Sequence, residues 1–275
     1  MNLKEHIIKE FGSRPAQQFY IEKAEEGLWP PEEVLIKKYF KPKSQILDIG
    51  CGTGRTTIPL FKQGYKITAI DLTPEMIENA KEIAGSKKLK VNYKIGDATS
   101  LKFKDNSFDN ALFSNNGWTQ ISGRENRLKA LTEIHRVLKP GGIFIFTTHV
   151  RTLKGYFWFW LGQWIKIYIL KPLRFPVDEE EWGDRFFKKE NSSAVPYPEK
   201  QYIHIPTAQE VKNEIEISGL KLIYNEMGKN IAKTDKYFPM FYVCKKQPSI
   251  INIQRKKESI KKLLDSYKRY QKKEV

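Results

Sequence analysis

The sequence contains little cysteine and no long hydrophobic run. Cys51 and Cys244 are its two cysteines, and Cys51 stands inside a glycine-rich turn, which disfavours a disulfide framework and predicts a reducing compartment. The most apolar stretch, residues 156–170, contains Gln163 and Lys166 and is shorter than the roughly 20 residues that span a bilayer. The first ten residues lack the continuous apolar core of a signal peptide. The composition therefore predicts a cytoplasmic chain without a transmembrane segment.

Acidic residues are scarce relative to basic ones: 48 Lys and Arg stand against 32 Asp and Glu, a formal net charge of +16. The last 31 residues carry eleven of the basic residues and three acidic ones. Within 247–275, Ile260, Leu263, Leu264 and Tyr267 follow the i, i+3, i+4, i+7 spacing of an apolar helix face. The tail is predicted to form a basic amphipathic helix. Its partner is left open between its own domain, an anionic membrane surface and an RNA backbone.

Short β-rich runs alternate with helical patterns along most of the chain, which predicts an α/β fold with a parallel sheet covered by helices on both faces. Strands are predicted at Gln45–Ile49, 66–70, 91–95, Phe108–Phe113, 143–148, 220–224 and 237–244. Helices are predicted at 55–63, from the N-cap Thr73 to about Ala84, at 124–138, and after the capping-box pattern at 207–210.

The most informative stretch is Ile46-Leu-Asp-Ile-Gly-Cys-Gly-Thr-Gly-Arg55, in which an apolar strand runs into three glycines and then a helix. Glycines at this spacing let the backbone turn sharply and approach a ligand at the strand end. Arg55 occupies the third glycine position of a dinucleotide fingerprint, so a pyrophosphate loop is disfavoured. Asp48 would repel a pyrophosphate and attract an ammonium group. S-adenosylmethionine carries an ammonium and a sulfonium and no phosphate, so its charge agrees.

Two further carboxylates follow the next two strands. Asp71 ends the second strand, where a short acidic side chain can accept hydrogen bonds from both hydroxyls of a ribose. Asp97 follows the third strand within Gly96-Asp97-Ala98 and can accept from an adenine amino group. Three carboxylates at three consecutive strand ends, together with the glycine turn, predict a nucleoside site at one edge of the sheet.

Residues 40–150 resemble the class I S-adenosylmethionine-dependent methyltransferases, particularly their small-molecule and quinone-type branch. The resemblance rests on the motifs at 47–54, 70–76, 96–98 and 136–142. It implies a doubly wound, mostly parallel seven-stranded sheet whose last strand is antiparallel, with S-adenosylmethionine as the cofactor. The cofactor-binding residues that it implies, with those argued above, are Tyr20 as a lid residue, Asp48, Gly50, Cys51, Gly52, Thr53, Gly54, Asp71, Leu72, Met76, Gly96, Asp97, Ala98, Ser114 and Asn115.

The same pattern of strands and helices predicts the domain organisation. Residues 1–39 are predicted to be an N-terminal helical lid and 40–150 the cofactor-binding core. Residues 151–206 break the alternation, hold four tryptophans and many prolines and contain no clear strand, so they are predicted to be an inserted aromatic-rich cap over the substrate. The core sheet ends over 207–246, and 247–275 is the basic helix.

Catalysis needs chiefly a positioned nucleophile in a dry pocket, because the sulfonium methyl is already activated. His149, at the end of the fifth strand, is the candidate general base, with an ordinary strand-end role as the alternative. Trp118 is a candidate wall for a planar substrate, with core packing as the alternative. The loop at 114–118 lacks the Pro-Pro-aromatic tetrad of adenine amino-methyltransferases and the Pro-Cys pair that attacks pyrimidines. No metal is predicted.

The aromatic stretch at 156–175 is interspersed with Lys166, Lys171 and Arg174. It is predicted either to roof an apolar substrate pocket, with Trp158 and Trp160 on its wall, or to lie in a membrane interface as a peripheral contact; simple packing on the sheet is the third option.

Three functions remain open from the sequence. The first is methyl transfer to a small, apolar or aromatic acceptor. The second is methylation of RNA held by the basic tail, although no RNA-binding module is recognisable. The third is non-catalytic binding of S-adenosylmethionine.

Overall fold

The computed structural model describes residues 3–187, 200–236 and 238–247. Within them the strands are β1 (Gln45–Ile49), β2 (Lys66–Asp71), β3 (Asn92–Ile95), β4 (Phe108–Phe113), β5 (Leu138–Thr148), β6 (Asp184–Phe187), β7 (Gln201–His204), β8 (Leu220–Met227) and β9 (Met240–Lys246). The α-helices are α1 (Leu3–Gly12), α2 (Arg14–Ala24), α3 (Pro30–Tyr39), α4 (Thr57–Lys62), α5 (Pro74–Ser86), α6 (Arg124–Val137), α7 (Phe157–Ile165), α8 (Ala208–Ile217) and α9 (Gly228–Ala232).

Seven of these strands form one sheet in the order β3-β2-β1-β4-β5-β9-β8. β1 pairs in parallel with β2 on one side and with β4 on the other, so the strand order reverses at β1. β9 is antiparallel to both of its neighbours, β5 and β8. The predicted doubly wound, mostly parallel seven-stranded sheet is thus confirmed, including its antiparallel last strand. Sheets of this type bind ligands at the carboxyl ends of the strands beside the point of reversal.

Helices cover both faces of the sheet, and this explains the nearly continuous apolar character of β1. Ile46 packs into the core cluster on one face, with Leu60 of α4 and Ala80 of α5. Leu47 and Ile49 pack into the cluster on the opposite face. A strand that is buried on both faces has no solvent side for polar residues. Asp48 is the exception within β1, and it is 1% exposed.

Local signals predicted most elements but not all of their details. The capping box is confirmed: the Thr207 hydroxyl accepts from the Glu210 N–H at 3.2 Å, and the Glu210 carboxylate accepts from the Thr207 N–H at 2.7 Å. Thr73 is the N-cap residue of α5, as predicted, but its hydroxyl makes no capping hydrogen bond. The Asp71 carboxylate accepts from the Thr73 N–H at 2.9 Å instead.

The prediction that residues 151–206 contain no strand is also wrong. β6 and β7 form an antiparallel pair with Asp184 opposite His204 and Phe187 opposite Gln201. Each strand is four residues long, which is too short for a two-residue hydrophobic period to stand out, and the pairing joins residues far apart in sequence. The second sheet could therefore be found only in the folded chain.

A buried ion-pair network fastens this segment to the main domain. Arg127 on α6 is 2% exposed; its guanidinium donates to Glu181 at 2.6 and 3.1 Å and to Glu214 on α8 at 3.2 Å. Asp184 accepts from the Tyr202 hydroxyl at 2.9 Å and lies 2.9 Å from His204 Nδ1. Glu181, Asp184 and His204 have metal-ligand chemistry, but the guanidinium already neutralises Glu181, so we treat the cluster as structural.

The first helix joins the second sheet to the main one. Leu3 and Ile7 of α1 pack against Tyr202 of β7, and His6 Nε2 lies 2.6 Å from the Lys200 carbonyl oxygen. Glu10 accepts from the Tyr202 N–H at 3.1 Å. No described helix is long and apolar enough to cross a bilayer. The predicted basic helix at 247–275 lies, after its first residue, outside the described residues.

Candidate functional site

A cavity of about 320 Å³ opens at the carboxyl edge of the sheet, beside the point where the strand order reverses. Its wall is built by the residues that directly follow β1 to β4 and by the N-terminal helices. Eleven of the predicted site residues line it: Tyr20, Gly50, Gly52, Asp71, Leu72, Met76, Gly96, Asp97, Ala98, Ser114 and Asn115. Parallel strands bring these segments together because their carboxyl ends meet at one edge.

The glycine turn is held in a conformation that side chains disfavour. Gly50 and Gly52 have φ of +60° and +52°, in the left-handed region that glycine enters without penalty. A Cβ on Gly50 would lie 2.6 Å from the Phe113 ring, whereas a Cβ on Gly52 would make only an ordinary contact with Tyr20, at 3.8 Å. Cys51 and Thr53 line a smaller adjoining cleft. Gly54 lines neither space, and Tyr93 Oη lies 2.6 Å from where its Cβ would be.

Asp71 ties the end of β2 to the glycine turn. One carboxylate oxygen accepts from the Gly52 N–H at 2.8 Å and the other from the Thr73 N–H at 2.9 Å. Burial raises the pKa of Asp71, and these backbone hydrogen bonds oppose the rise. Each carboxylate oxygen has a further lone pair. Asp71 can therefore hold the turn and still accept hydrogen bonds from a ligand in the cavity.

Asp97 lies at the cavity wall in an ion pair with the first helix. Lys4 Nζ is 2.5 Å from its carboxylate, and Thr99 donates to it from its N–H and its hydroxyl at 2.9 and 2.8 Å. Burial raises the pKa of Asp97, but the hydrogen bonds from Lys4 and Thr99 outweigh it, so the net pKa is lowered. The predicted adenine acceptor thus stays ionised, and Lys4 reaches the same wall.

Asp48 does not line the cavity, so the structure does not place its carboxylate where a contact with a ligand ammonium was predicted. Its Oδ2 accepts from the hydroxyls of Thr56 and Thr57 at 2.7 and 2.6 Å, and its Oδ1 is buried without a hydrogen-bond partner. Burial raises the pKa of Asp48 to about 6, against the lowering effect of those hydroxyls. Its position indicates that it fixes the chain that follows the glycine turn.

Arg55 and Glu32 are site residues that the sequence reasoning missed. The guanidinium of Arg55 donates to both oxygens of Glu32 on α3, at 2.8 and 2.7 Å, and stacks over the Trp29 ring at 4.3 Å. It also donates to the Ser114 hydroxyl at 2.9 Å, and Ser114 donates to Glu32. This buried triad joins the N-terminal helices, the glycine turn and the loop after β4. No local spacing in the sequence predicts such a distant pairing.

A second cavity, of about 360 Å³, adjoins the first. His149 lies on its wall, and Phe11, Tyr20, Asn115 and Gln120 line both cavities. The wall of the second cavity also holds three further rings, from Phe19, Phe187 and Tyr202, and the polar residues Glu10, Lys23, Asn116 and Gln201.

His149 is held next to the loop after β4. Its Nε2 lies 3.1 Å from the amide nitrogen of Asn116, and burial lowers its pKa, which favours the neutral imidazole. Asn115 and Asn116 both have positive φ, 50° and 60°, a conformation that is uncommon for residues other than glycine and is often found at functional sites.

The three tryptophans predicted to line the substrate pocket line neither cavity. Trp118 is fully buried, at 0% exposure, and packs on Phe146 with the Arg127 guanidinium 5.4 Å from its ring. Trp160 is buried and donates to the Thr152 carbonyl at 2.9 Å, while Trp158 is 79% exposed. Their assignment to the pocket is therefore corrected: the aromatic wall comes from α1, α2 and the second sheet.

The N-terminal helices contribute more residues to the cavity than the one predicted. Lys4, Ile7 and Phe11 of α1 line the main cavity together with Tyr20 of α2. Ile7 and Phe11 lie four residues apart on α1. The same spacing is typical of ordinary core packing, so no signal in the sequence distinguishes a cavity wall from a core face.

The protein-family model described as a methyltransferase domain matches residues 47–146 of this chain. A demethylmenaquinone methyltransferase of Desulfitobacterium hafniense is 30% identical over 66% of this chain and 67% of its own length. A ubiquinone biosynthesis O-methyltransferase of Pelagibacter ubique is 30% identical over 68% of this chain and 64% of its own length. The chain spans between about half and two thirds of the length of the first curated relatives it matches.

Solved structures agree on the fold. A crystal structure of an S-adenosylmethionine-dependent methyltransferase from Methanosarcina mazei superposes with a TM-score of 0.64 at 24% identity, covering 81% of this chain and 100% of that one. The chain therefore belongs to the family of class I S-adenosylmethionine-dependent methyltransferases, given the extent of its similarity to the Desulfitobacterium relative and the match of the methyltransferase domain to residues 47–146.

Proposed function

We propose that this protein transfers the methyl group of S-adenosylmethionine to a small aromatic acceptor bound in the second cavity. The observation that carries the proposal is the wall shared by the two cavities, formed by Phe11, Tyr20, Asn115 and Gln120. Two adjoining spaces of this kind suit a cofactor in one and an acceptor in the other, with the reacting atoms meeting at the shared wall.

The main cavity fits the cofactor that the family uses, S-adenosylmethionine. Gly52 lines the cavity without a side chain that would fill it, and Asp71 presents further lone pairs for the ribose hydroxyls. Leu72 and Met76 supply apolar walls for an adenine ring, and Asp97 supplies an acceptor for its amino group. The bound cofactor would supply an activated sulfonium methyl, so the residues of the chain have to position the acceptor and exclude water.

The second cavity favours a flat, largely apolar acceptor with at least one polar group. Its aromatic rings can stack on a planar molecule, and His149 with Gln201 and Asn116 can orient a hydroxyl. Relatives named for demethylmenaquinone and for ubiquinone biosynthesis support the same class. We therefore propose a hydroxylated aromatic or quinone-type acceptor.

His149 is proposed as the general base. A neutral imidazole can accept the proton of an acceptor hydroxyl as its oxygen attacks the methyl group. Burial keeps His149 neutral at pH 7 because it lowers the imidazole pKa. Asn116, whose amide nitrogen lies 3.1 Å from Nε2, would orient the ring. Only the ring nitrogen without a hydrogen can take the proton, and an amide nitrogen donates, so in this contact that nitrogen is Nε2 and the acceptor hydroxyl has to reach it beside Asn116.

RNA methylation and cofactor binding without methyl transfer are the two other functions, and each predicts a different result in the labelling experiment described below. RNA methylation would depend on the basic tail, and no relative reported above is named for RNA. Binding without transfer would leave the second cavity without a role. An anionic surface bound by the tail remains a prediction from the sequence, as residues 248–275 lie outside the described part.

The test has two steps. Calorimetry with S-adenosylmethionine and its demethylated product should show binding of both. Incubation with methyl-labelled cofactor and fractionated extract should place label in the solvent-extractable, small-molecule fraction. Label in RNA or protein alone would contradict the acceptor class, and absence of binding to either cofactor form would contradict the whole proposal.

A further inference from the structure

The surface of α7 and the turn that follows it is unusual for a helix that packs on only one side. Trp160, Gln163 and Ile167 are the buried residues of α7 and the π-helical turn Lys166–Leu170. On an ordinary surface helix the opposite side is polar. Here it is exposed and apolar, at Leu153, Tyr156, Phe157, Trp158, Phe159, Trp164, Ile165, Tyr168, Ile169, Leu173 and Phe175. We call this set the aromatic ridge.

The ridge concentrates most of the exposed apolar surface of the described residues. Eleven of the sixteen large hydrophobic side chains that are exposed belong to it, and Trp158 is the most exposed of all at 79%. Exposed apolar side chains gathered in one short segment indicate a contact with another molecule or a membrane, because leaving them in water is unfavourable. Isolated exposed residues such as Val34 need no such explanation.

The charged residues within the segment that carries the ridge are all basic, and an acidic run, 178–181, follows it. Residues 151–177 contain five Lys or Arg and no Asp or Glu. Lys154, Lys166, Lys171 and Arg174 are exposed, and none of them forms an ion pair with a described residue. Lys171 Nζ donates to the Glu179 carbonyl at 2.7 Å. Exposed aromatic rings bordered by cations that have no carboxylate partner match an anionic lipid surface, where Trp and Tyr lie at the level of the headgroups and Lys and Arg meet phosphate.

We propose that the aromatic ridge docks on the surface of an anionic lipid bilayer. The chain's own remaining segments fit the ridge less well. Residues 188–199 are mostly polar, with few apolar side chains. The tail from 248 onward has nine basic residues and three acidic ones, so its charge repels that of the ridge, and a second copy of the chain would bring the same cations. The proposal is independent of which acceptor is methylated.

Flotation of the full chain with vesicles tests the proposal. We expect binding to vesicles of phosphatidylcholine mixed with phosphatidylglycerol and weak binding to phosphatidylcholine alone. Trp158→Ser should weaken the partition about tenfold, because an exposed ring no longer enters the interface. Lys166→Glu should weaken it by at least as much on anionic vesicles, as it removes one cation and adds an anion.

Matched controls separate the ridge from other surfaces. Val34→Ser removes an exposed apolar side chain from α3, and the double variant Lys261→Glu, Lys262→Glu reverses two charges in the tail; both should retain binding. Unchanged thermal unfolding of each variant confirms folding without reference to cofactor. The proposal is overturned if wild type binds no anionic vesicle, if only the tail variant loses binding, or if Trp158→Ser instead dissociates a dimer in analytical ultracentrifugation.

Discussion

Arg55 and Glu32 form a fully buried, two-pronged ion pair between the residue after the glycine turn and the first turn of α3. The pair also reaches the Ser114 hydroxyl on the cavity wall. It therefore couples the N-terminal helices to the two loops that line the main cavity. This buried pair stabilises the contact between the helices and the loops only while both Arg55 and Glu32 are charged. Either charge alone would be buried without a partner to offset the loss of its hydration.

Glu32→Gln is expected to lower the free energy of unfolding by about 3 kcal/mol, because it leaves the Arg55 guanidinium buried without a counter-charge. Urea denaturation followed by circular dichroism measures the loss. Glu25→Gln is the matched control: its pair with Lys87 is exposed at 68% for the carboxylate, and exposed pairs contribute about 0–1 kcal/mol. Equal losses in the two variants would contradict the role given to the buried pair.

Gly50→Ala is expected to abolish measurable cofactor binding. A Cβ there would lie 2.6 Å from Phe113, on a backbone with φ of +60°, so the turn and the cavity wall must both shift. Gly64→Ala has the same backbone problem, with φ of +87°, but no atom within 4 Å of its Cβ. Calorimetry should find near-normal affinity in the Gly64 variant, and loss of affinity in both would point to general destabilisation.

Asp71→Asn is expected to weaken the affinity for S-adenosylmethionine by about 10- to 100-fold, in line with about 1.5–3 kcal/mol for a hydrogen bond to a charged group. The amide has one acceptor oxygen to serve the turn and the ribose. Asp109→Asn, whose partner Lys139 lies on the opposite edge of the sheet, serves as the control. Full affinity in Asp71→Asn would remove the carboxylate from the cofactor site.

Asp48 makes stability depend on pH. Its pKa is about 6 in the folded protein and close to 3.8 when exposed, so the folded protein binds more protons between these values. The free energy of unfolding contributed by this group should fall by about 3 kcal/mol as pH rises from about 4 to 6, and stay level above that. Asp48→Asn should flatten this part of the profile in urea titrations at a series of pH values. If the free energy of unfolding of the variant fell with pH as steeply as that of the wild type, Asp48 would not be the group responsible.

His149→Ala is expected to reduce kcat/KM for the acceptor by about 100-fold or more while leaving cofactor affinity unchanged. Because burial lowers the pKa of His149 below 6.5, the wild-type rate should rise with pH through that lowered pKa and be constant near pH 7. The variant should lose this rise. Label transfer to the extracted acceptor fraction measures both effects, with His135→Ala, in α6 and away from both cavities, as the control.

The cofactor side of the site could be predicted from the sequence because its residues lie within a few positions of strand ends. Once the order of the strands is known, Asp71, Asp97 and the glycines can be placed next to one another. The acceptor side could not be predicted in the same way. Phe19, Phe187 and Tyr202 come from a helix and from a second sheet whose pairing is non-local, and the abundance of tryptophan at 158–164 indicated a different pocket wall.

Sequence alone determined the parallel sheet with helices on both faces and the cofactor edge, because strand burial, turn chemistry and crossover order are local or repeat along the chain. The antiparallel last strand was predicted only from the family resemblance. Three features were decided only by the tertiary structure. Asp48 accepts hydrogen bonds from the residues that follow the glycine turn, Arg55 pairs with Glu32, and some tryptophans are buried while others are exposed. Those outcomes depend on which side chains, distant in sequence, come into contact when the chain packs, and neither the hydrophobic pattern nor the residue spacing predicts such contacts.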